Sequence, residues 1–247
     1  MDNLSIAAVS GLRSRMSSLD LLANNLANSA TSGYKSDREY YGLYTSDDSD
    51  NGIDGGAGTS LPVVERQWTD FSPGVIETTG NPLDVALNGS GFFTVNGPKG
   101  PLYTRNGTLR ILPSGELANG EGYTLQSTTG GTISVSAGKE VNITREGVVQ
   151  QGGQSVGQIN VVDFKTYDSL VKAGGASFQN TDPSNAPAAA SDVDVQQGRS
   201  EGSNVPVATS AMRLVGIMRQ FEMLQKAIGI SSDMDTKSIQ EVARVGA

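Results

Sequence analysis

The spacing of apolar residues is helical at both ends of the chain and alternating between them. Near the N-terminus, apolar positions recur at intervals of three and four residues, which predicts a helix over residues 3–28 that stops at Ser29–Gly33. A similar spacing of apolar residues, which would place them along one side of a helix, predicts a second helix over about 205–242. Each stripe has one apolar face, so we expect the two helices to pair and bury those faces against each other.

The middle of the chain is typical of short β-strands separated by glycine turns. In NPLDVALNGSGFFTVNG, apolar residues alternate on both sides of Asn88–Gly91, which predicts a hairpin. Further turns are expected at Asn106-Gly107 and Pro113–Gly115, and further strands at 133–136, 140–149 and 158–164. The fold class predicted is α+β, with paired terminal helices forming a coiled-coil-like stalk around an inserted all-β domain.

This pattern divides the chain into five expected segments, one of which contains an acidic, glycine-rich loop over residues 45–60 that we expect to be flexible. The segments are an N-terminal helix (1–35), an extended linker (36–78), a β domain (79–180), a return linker (181–204) and a C-terminal helix that pairs with the first (205–247).

Composition excludes several kinds of chemistry. The 247 residues include no His and no Cys, so a Ser-His-Asp triad, a thiol nucleophile, a disulfide and a typical zinc site are all excluded. Carboxylate pairs of the glycosidase type remain open, but nothing in the sequence marks one out and Trp68 is the only tryptophan. No phosphate-loop motif occurs. We therefore expect no enzymatic activity and no cofactor.

The acidic loop raises the question of calcium. An EF-hand pattern starting at Asp47 fits as far as Gly52, but Asp54 then stands where an apolar residue belongs. Gly58 occupies the position of the bidentate Glu, so a solvated loop is the better interpretation and no metal site is predicted.

Charge is unevenly distributed along the chain, whose net charge is -8. Residues 1–35 and 205–247 carry eight Lys/Arg against six Asp/Glu, and residues 36–204 carry ten against twenty. An acidic body argues against nucleic acid as a partner. No apolar run is long enough to span a membrane, and the N-terminus lacks the pattern of a cleavable signal, so any export needs another route.

Two faces of the terminal helices are candidate contact surfaces. Three asparagines interrupt the first helix at positions where Lys or Glu would make a better helix, on the side almost opposite the leucines. Their amides could bridge neighbouring backbones between subunits, or could be tolerated near a fraying helix end; the pattern alone leaves both open. The candidate amide face is Asn24, Asn25 and Asn28. The candidate packing residues are Val9, Leu12, Met16, Leu19, Leu22, Leu26, Leu214, Met218, Phe221 and Ile228.

Three blocks of sequence stand out: LANNLANSATSGYK, the stretch TGNPLDVALNGSGFFTV followed by YTRNGTLRILPSGELANGEGYTLQ, and QQGRSEGSNVPVATSAMRLVGIMRQFEMLQKAI. Together they resemble the flagellar basal-body rod and hook proteins, the axial family. The blocks occur in the family's order across most of the chain. The stretch Met218–Glu222 is more similar to the proximal rod subunit than to the distal rod or hook subunits, whereas Arg199-Ser200 and the C-terminal tail depart from the family pattern.

The resemblance implies a structural role. Such proteins are exported unfolded by the flagellar export apparatus without a cleaved signal, and assemble helically in the periplasm with other rod and hook proteins. We therefore expect a homo-oligomeric rod subunit that transmits motor torque, with no direct membrane insertion. The alternatives are a distal rod subunit or another axial protein or, in a different class, a secreted adhesin or phage-tail-like β protein.

Overall fold

The computed structural model describes residues 3–45, 60–136 and 138–245. These residues form helix α1 (Asn3–Ala27), helix α2 (Val207–Val245) and eighteen strands. The strands are β1 (Asp37–Thr45), β2 (Ser60–Thr69), β3 (Ile76–Thr78), β4 (Val85–Gly89), β5 (Phe92–Gly97), β6 (Gly100–Thr104), β7 (Leu109–Ile111), β8 (Leu117–Asn119), β9 (Thr124–Leu125), β10 (Val141–Ile143), β11 (Val148–Gln151), β12 (Gln154–Gln158), β13 (Val161–Asp163), β14 (Leu170–Gly174), β15 (Ser177–Asn180), β16 (Ala188–Ala189), β17 (Val193–Gln197) and β18 (Arg199–Glu201).

Both predicted helices are confirmed, and so is the α+β class with two helices flanking a β-rich body. Helix α1 ends in a turn in which the Thr31 backbone N–H donates to the Asn28 carbonyl. Gly33 follows with a φ of 68°, in the left-handed region that glycine favours. Neither helix, over its described residues, combines the length and the apolarity that a membrane span needs.

The chain divides into two compact units. The helical unit comprises Met1–Ala27, Asp37–Thr69 and Pro206–Ala247, and the β unit comprises Asn28–Ser36 and Asp70–Val205. Within the helical unit, α1 contacts α2, and it also contacts both β1 and β2. The chain thus passes from one unit to the other four times, which the five-segment division of the sequence did not anticipate.

The expected linker 36–78 contains an antiparallel hairpin. Strand β1 pairs with β2 from Asp37 opposite Thr69 to Thr45 opposite Ser60, with a bulge at Tyr40/Tyr41. The sequence predicted a linker because the alternation of apolar residues is weak in this segment. The hairpin instead forms hydrogen bonds from the side chains of one face to the two helices, and not to an apolar core. Residues 46–59, which hold most of the expected flexible loop and the rejected calcium pattern, lie outside the described residues.

The β unit is built on a nine-stranded sheet. Seven strands follow the order β14-β15-β6-β5-β9-β8-β7, while β13 pairs with β5 and β16 pairs with β13. A three-stranded sheet (β10-β11-β12) and two strand pairs (β17 with β4, β18 with β3) complete it. The predicted turn at Pro113–Gly115 is confirmed, since β7 and β8 pair across it.

Two apolar clusters form the interior of the β unit. The larger one includes Val85, Val95, Leu117 and Ile133, each fully buried. The smaller one is aromatic, with Phe92, Tyr103, Phe164 and Phe178 in its centre and Phe71 and Tyr167 packed against it. The ring centroids of Phe92 and Tyr167 are 5.6 Å apart in an edge-to-face arrangement.

Three expectations about the β unit are wrong. Strands β4 and β5 flank the predicted turn, but β4 pairs with β17 and β5 pairs with β6, β9 and β13, so no hairpin joins them. The expected return linker 181–204 contains β16, β17 and β18, because the Val193–Val195 alternation buries Val195 against β4. The predicted strand 133–136 is reduced to a single bridge between Ser134 and Glu116.

Candidate assembly surface

On α1, the predicted packing stripe splits between two environments. Leu22 is 5% exposed, whereas Val9 and Met16 are 45% and 59% exposed. The other three predicted residues of this helix are half-buried: Leu12, Leu19 and Leu26. Of the six predicted residues of this helix, one is therefore buried inside the helical unit, three are half-buried and two lie on its surface.

On α2, the buried stripe is rotated relative to the predicted one. Met218, a predicted packing residue, is 49% exposed, and the adjacent Ile217 is 5% exposed. The buried and half-buried positions repeat at intervals of three and four: Ser210, Leu214, Ile217, Phe221, Leu224 and Ile228. The prediction located Leu214, Phe221 and Ile228 on this stripe but treated Ile217 and Leu224 only as a widening of it, because α2 carries apolar residues on two sides.

The second apolar side of α2 is exposed. Met212, Met223 and Met234 are 69%, 61% and 64% exposed, and they are spaced eleven residues apart, or about three helical turns. Ile230 lies within the same angular range. We call these four residues the methionine face. Long, unbranched methionine side chains are frequent on surfaces that accept several packing arrangements.

The three candidate asparagines lie in different environments. Asn25 is 4% exposed; its Nδ2 donates to the Asp37 carbonyl (2.8 Å), and its Oδ1 accepts from the Asp37 N–H (2.9 Å). This amide therefore bridges backbone groups of its own chain, at the start of β1. Asn28 is half-buried and accepts hydrogen bonds from Thr31, while Asn24 is exposed.

A buried ion cluster holds three distant parts of the β unit together. Lys35 Nζ lies 2.6 Å from Glu201 Oε1, and Arg105 Nη1 lies 3.3 Å from Glu201 Oε2. Lys35 and Glu201 are each 1% exposed and Arg105 is 6% exposed. Burial lowers the pKa of Lys35 from its ordinary value, and the Glu201 carboxylate opposes that shift. Each cation has a further acceptor, Ser72 O for Lys35 and Gly89 O for Arg105.

Hydrogen bonds also join the residues of the β unit that border the chain crossings. The Asp70 N–H donates to Ser36 O (2.8 Å), and the Ser36 N–H donates to Asn204 Oδ1 (2.7 Å). Asn204 Nδ2 donates in turn to Asp70 O (2.7 Å). Gly33 approaches so closely that a Cβ atom would lie 2.3 Å from the Asn106 nitrogen, so only glycine fits there.

This ion cluster was not predicted from the sequence, although its residues lie in the three blocks of sequence that stand out along the chain. Lys35 ends LANNLANSATSGYK, Arg105 lies in YTRNG, and Glu201 and Asn204 lie in QGRSEGSN. The available signal was a single acid and two bases embedded in glycine-rich motifs, but sequence spacing does not show that residues so far apart meet. The three blocks of sequence thus contribute one residue each to a single buried ion cluster. Among the residues that the structure describes, no group of acidic side chains is placed to hold a metal ion.

Two family models match this chain in the segments just described. Residues 86–151 match the flagellar hook protein FlgE/F/G D1 domain, and residues 196–241 match the flagellar basal body rod FlgEFG protein C-terminal region. The first match covers much of the β unit, and the second runs from β17 into α2.

Relatives with established names match over almost the whole chain. It is 27% identical to the flagellar basal-body rod protein FlgF of Caulobacter vibrioides, over 99% of this chain and 100% of that protein. It is 28% identical to the rod protein FlgG of Bacillus subtilis, over 92% of this chain and 94% of that protein. Together with the two family models, these similarities show that the chain belongs to the flagellar basal-body rod protein family.

Proposed function

We propose that this chain is a structural subunit of the flagellar basal-body rod that polymerises helically through its terminal helices and forms part of the torque-transmitting shaft. We place it in the proximal rod because the stretch Met218–Glu222 resembles the proximal rod subunit. A distal rod position is the second candidate, because Arg199-Ser200 and the C-terminal tail depart from the family pattern. The role is mechanical, with no catalytic step and no cofactor.

The observation that carries this proposal is the exposed apolar surface of the two helices. Met16 on α1 and the methionine face on α2 leave several large apolar side chains exposed to water on the two helices, although Arg219 and Lys226 lie between the members of that face. Contact with a neighbouring subunit would remove that surface from water, at about 1.5–3 kcal/mol for each fully buried side chain.

The same surface suggests how subunits pair. In this proposal, the seam between Leu19 and Phe221 closes each subunit into a coiled-coil-like stalk, and the exposed sides of α1 and α2 meet neighbouring subunits. A contact between two different surfaces generates a helical filament when the rotation that relates the subunits does not close into a ring. The partners are other copies of this chain and other rod and hook proteins, in the basal body, after passage through the flagellar export apparatus.

Glutamine substitution on the methionine face tests this proposal. Glutamine matches methionine in length and in helix propensity but is strongly hydrated, so Met212→Gln with Met223→Gln leaves the monomer intact. We expect the critical concentration for polymerisation to rise by more than about tenfold, since losing the burial of two side chains exceeds 1.4 kcal/mol. Sedimentation velocity and electron microscopy of the purified full chain measure it.

A matched control lies on the β unit. Val156 and Val171 are 38% and 52% exposed there, and their replacement by Gln adds the same number of amides away from the helices. This control should polymerise as the unmodified chain does. The proposal would be contradicted if the methionine variant had the same critical concentration for polymerisation as the unmodified chain and restored swimming to cells that lack the protein.

A further inference from the structure

The β1–β2 hairpin of the helical unit has two chemically different faces. Because side chains alternate along a strand, residues 37 and 39 lie on one side and residues 38 and 40 on the other. In the antiparallel register, Arg38 lies opposite Trp68 and Glu39 lies opposite Gln67. We call the side formed by Arg38, Tyr40 and Trp68 the outer hairpin face.

The inner side of the hairpin bonds to the helices of its own unit. Glu39 Oε1 accepts from Arg213 Nη2 of α2 at 3.1 Å, and the Glu39 side chain is 1% exposed. Gln67 Nε2 donates to Ser17 Oγ of α1 at 3.4 Å. The hairpin is therefore fixed to the two helices through its inner side, which determines where its outer side points.

The outer hairpin face presents large aromatic side chains to solvent. Tyr40 is 63% exposed, Trp68 is 46% exposed, and Arg38 is also exposed. The Arg38 guanidinium lies 5.7 Å from the centre of the Trp68 ring, within the range of a cation–π contact, so the two side chains already hold one arrangement. Tryptophan, tyrosine and arginine are the residues that dominate the binding energy of protein interfaces.

We propose that the outer hairpin face binds a carboxylate-bearing surface of a second copy of this chain. This inference rests on the proposed function, which brings copies together, and adds a contact that is separate from the helices. Charge complementarity favours this occupant, because Arg38 is cationic and the chain as a whole carries a net charge of -8. The β unit offers such a surface at Asp192, which immediately precedes β17, and at Asp194, which lies on β17; both are exposed.

The chain contains a built-in probe for this contact. Trp68 is the only tryptophan, so intrinsic fluorescence at 295 nm excitation reports on the outer hairpin face and on nothing else. We expect acrylamide to quench Trp68 in the monomer, and we expect polymerisation of the full chain to shift its emission to the blue and to lower its quenching constant. Iodide should report the same change.

Charge reversal tests the role of Arg38. Arg38→Glu should raise the critical concentration for polymerisation by about tenfold or more, and the defect should shrink at high salt. The matched control is Lys99→Glu, which changes the net charge equally at an exposed position on the turn between β5 and β6. Lys99→Glu should assemble close to the unmodified chain.

Each contrary result has a distinct meaning. Polymers in which Trp68 is as accessible to acrylamide as in the monomer would overturn the inference and leave the proposed function intact. The same holds if Arg38→Glu and Lys99→Glu polymerise alike. If a single-stranded oligothymidylate protected Trp68 from acrylamide without any association of the protein, the outer hairpin face would bind nucleic acid and not a second copy, which would overturn the inference. A chain that stays monomeric at every concentration would overturn both this inference and the proposed function.

Discussion

The two units differ in the exposure of their apolar side chains: most are buried in the β unit, and many are exposed in the helical unit. Of the buried apolar residues among those that the structure describes, Leu22 and Ile217 belong to the helical unit and all others to the β unit. The large exposed apolar residues are distributed in reverse, with Val75, Val156 and Val171 in the β unit and the rest in the helical unit. Every methionine described is among those exposed in the helical unit.

Under the proposed function, this difference separates the side chains that stabilise a monomer from those that join subunits. The β unit buries enough apolar surface for its own stability and adds a buried ion cluster that fixes its geometry. The helical unit leaves much of its apolar surface exposed to solvent, where we propose that neighbouring subunits bind. Mutations should therefore act on stability in the β unit and on assembly in the helical unit, except at the few helical positions that are buried.

The largest effect on stability is expected from Glu201→Gln in the β unit. The substitution leaves the Lys35 and Arg105 cations buried without their shared carboxylate, which typically costs about 3–5 kcal/mol. Urea unfolding followed by near-ultraviolet circular dichroism of the tyrosines measures the loss. Glu140→Gln, at an exposed position, is the control and should unfold like the unmodified chain. Equal midpoints for the two variants would show that the cluster contributes little.

Adjacent residues on α2 test the distinction inside the helical unit. Ile217→Ala should destabilise this unit by about 2–4 kcal/mol, because the side chain is buried between packed elements. Met218→Ala should change the free energy of unfolding by less than about 0.5 kcal/mol, as exposed substitutions usually do. Trp68 fluorescence during urea unfolding follows the helical unit selectively. If Met218→Ala were the more destabilising of the two, the buried stripe would be misassigned.

The asparagines of α1 give a smaller contrast. Asn25→Ala should cost about 1–3 kcal/mol, since it leaves the N–H and carbonyl of Asp37 without their partner. Asn24→Ala with Asn28→Ala should raise helicity in circular dichroism and still impair polymerisation, if these amides bridge subunits. Unchanged assembly of the double variant would favour the explanation that asparagine is only tolerated near the helix end.

The smallest effect concerns the ionisation of Tyr167 in the aromatic cluster. Burial, together with the hydrogen bond to Asp163, raises the pKa of Tyr167 from 10.0 to about 12. The phenol therefore contributes stability that is fully present below pH 10 and is lost as the pH rises through about 12. Absorbance at 295 nm should show a late ionisation that Tyr167→Phe removes and Tyr40→Phe retains. A spectrum with no step above pH 11 would contradict this placement.

The sequence predicted the parts of the fold that depend on local pattern. The two helices follow from the three-and-four spacing of residues such as Leu19 and Leu22, and the β7–β8 hairpin follows from Pro113–Gly115. Strand partners were harder, since β4 has as good a pattern for pairing with β5 as with β17. In the folded chain β4 pairs with β17 along five residues, and Val195 is buried opposite Leu87.

The candidate site was predictable to a similar degree. Leu214, Phe221 and Ile228 were found because they repeat, but Met218 was placed inside and Ile217 at the margin. When a helix has two apolar sides, as α2 does, the sequence alone does not show which side packs against its own chain and which is exposed. The pairing of Lys35 with Glu201 could not be found at all, because it depends on how the intervening chain folds.

The helical unit also has consequences for the order of folding. Its two helices are separated in sequence by residues 28–206, so α1 cannot find α2 until the end of the chain is present. The β unit contains several hairpins of neighbouring strands, such as β5–β6, β7–β8 and β14–β15, beside its long-range pairs. Local pairings form sooner than those that close a long loop. We therefore expect the two helices to pair later than these local hairpins form.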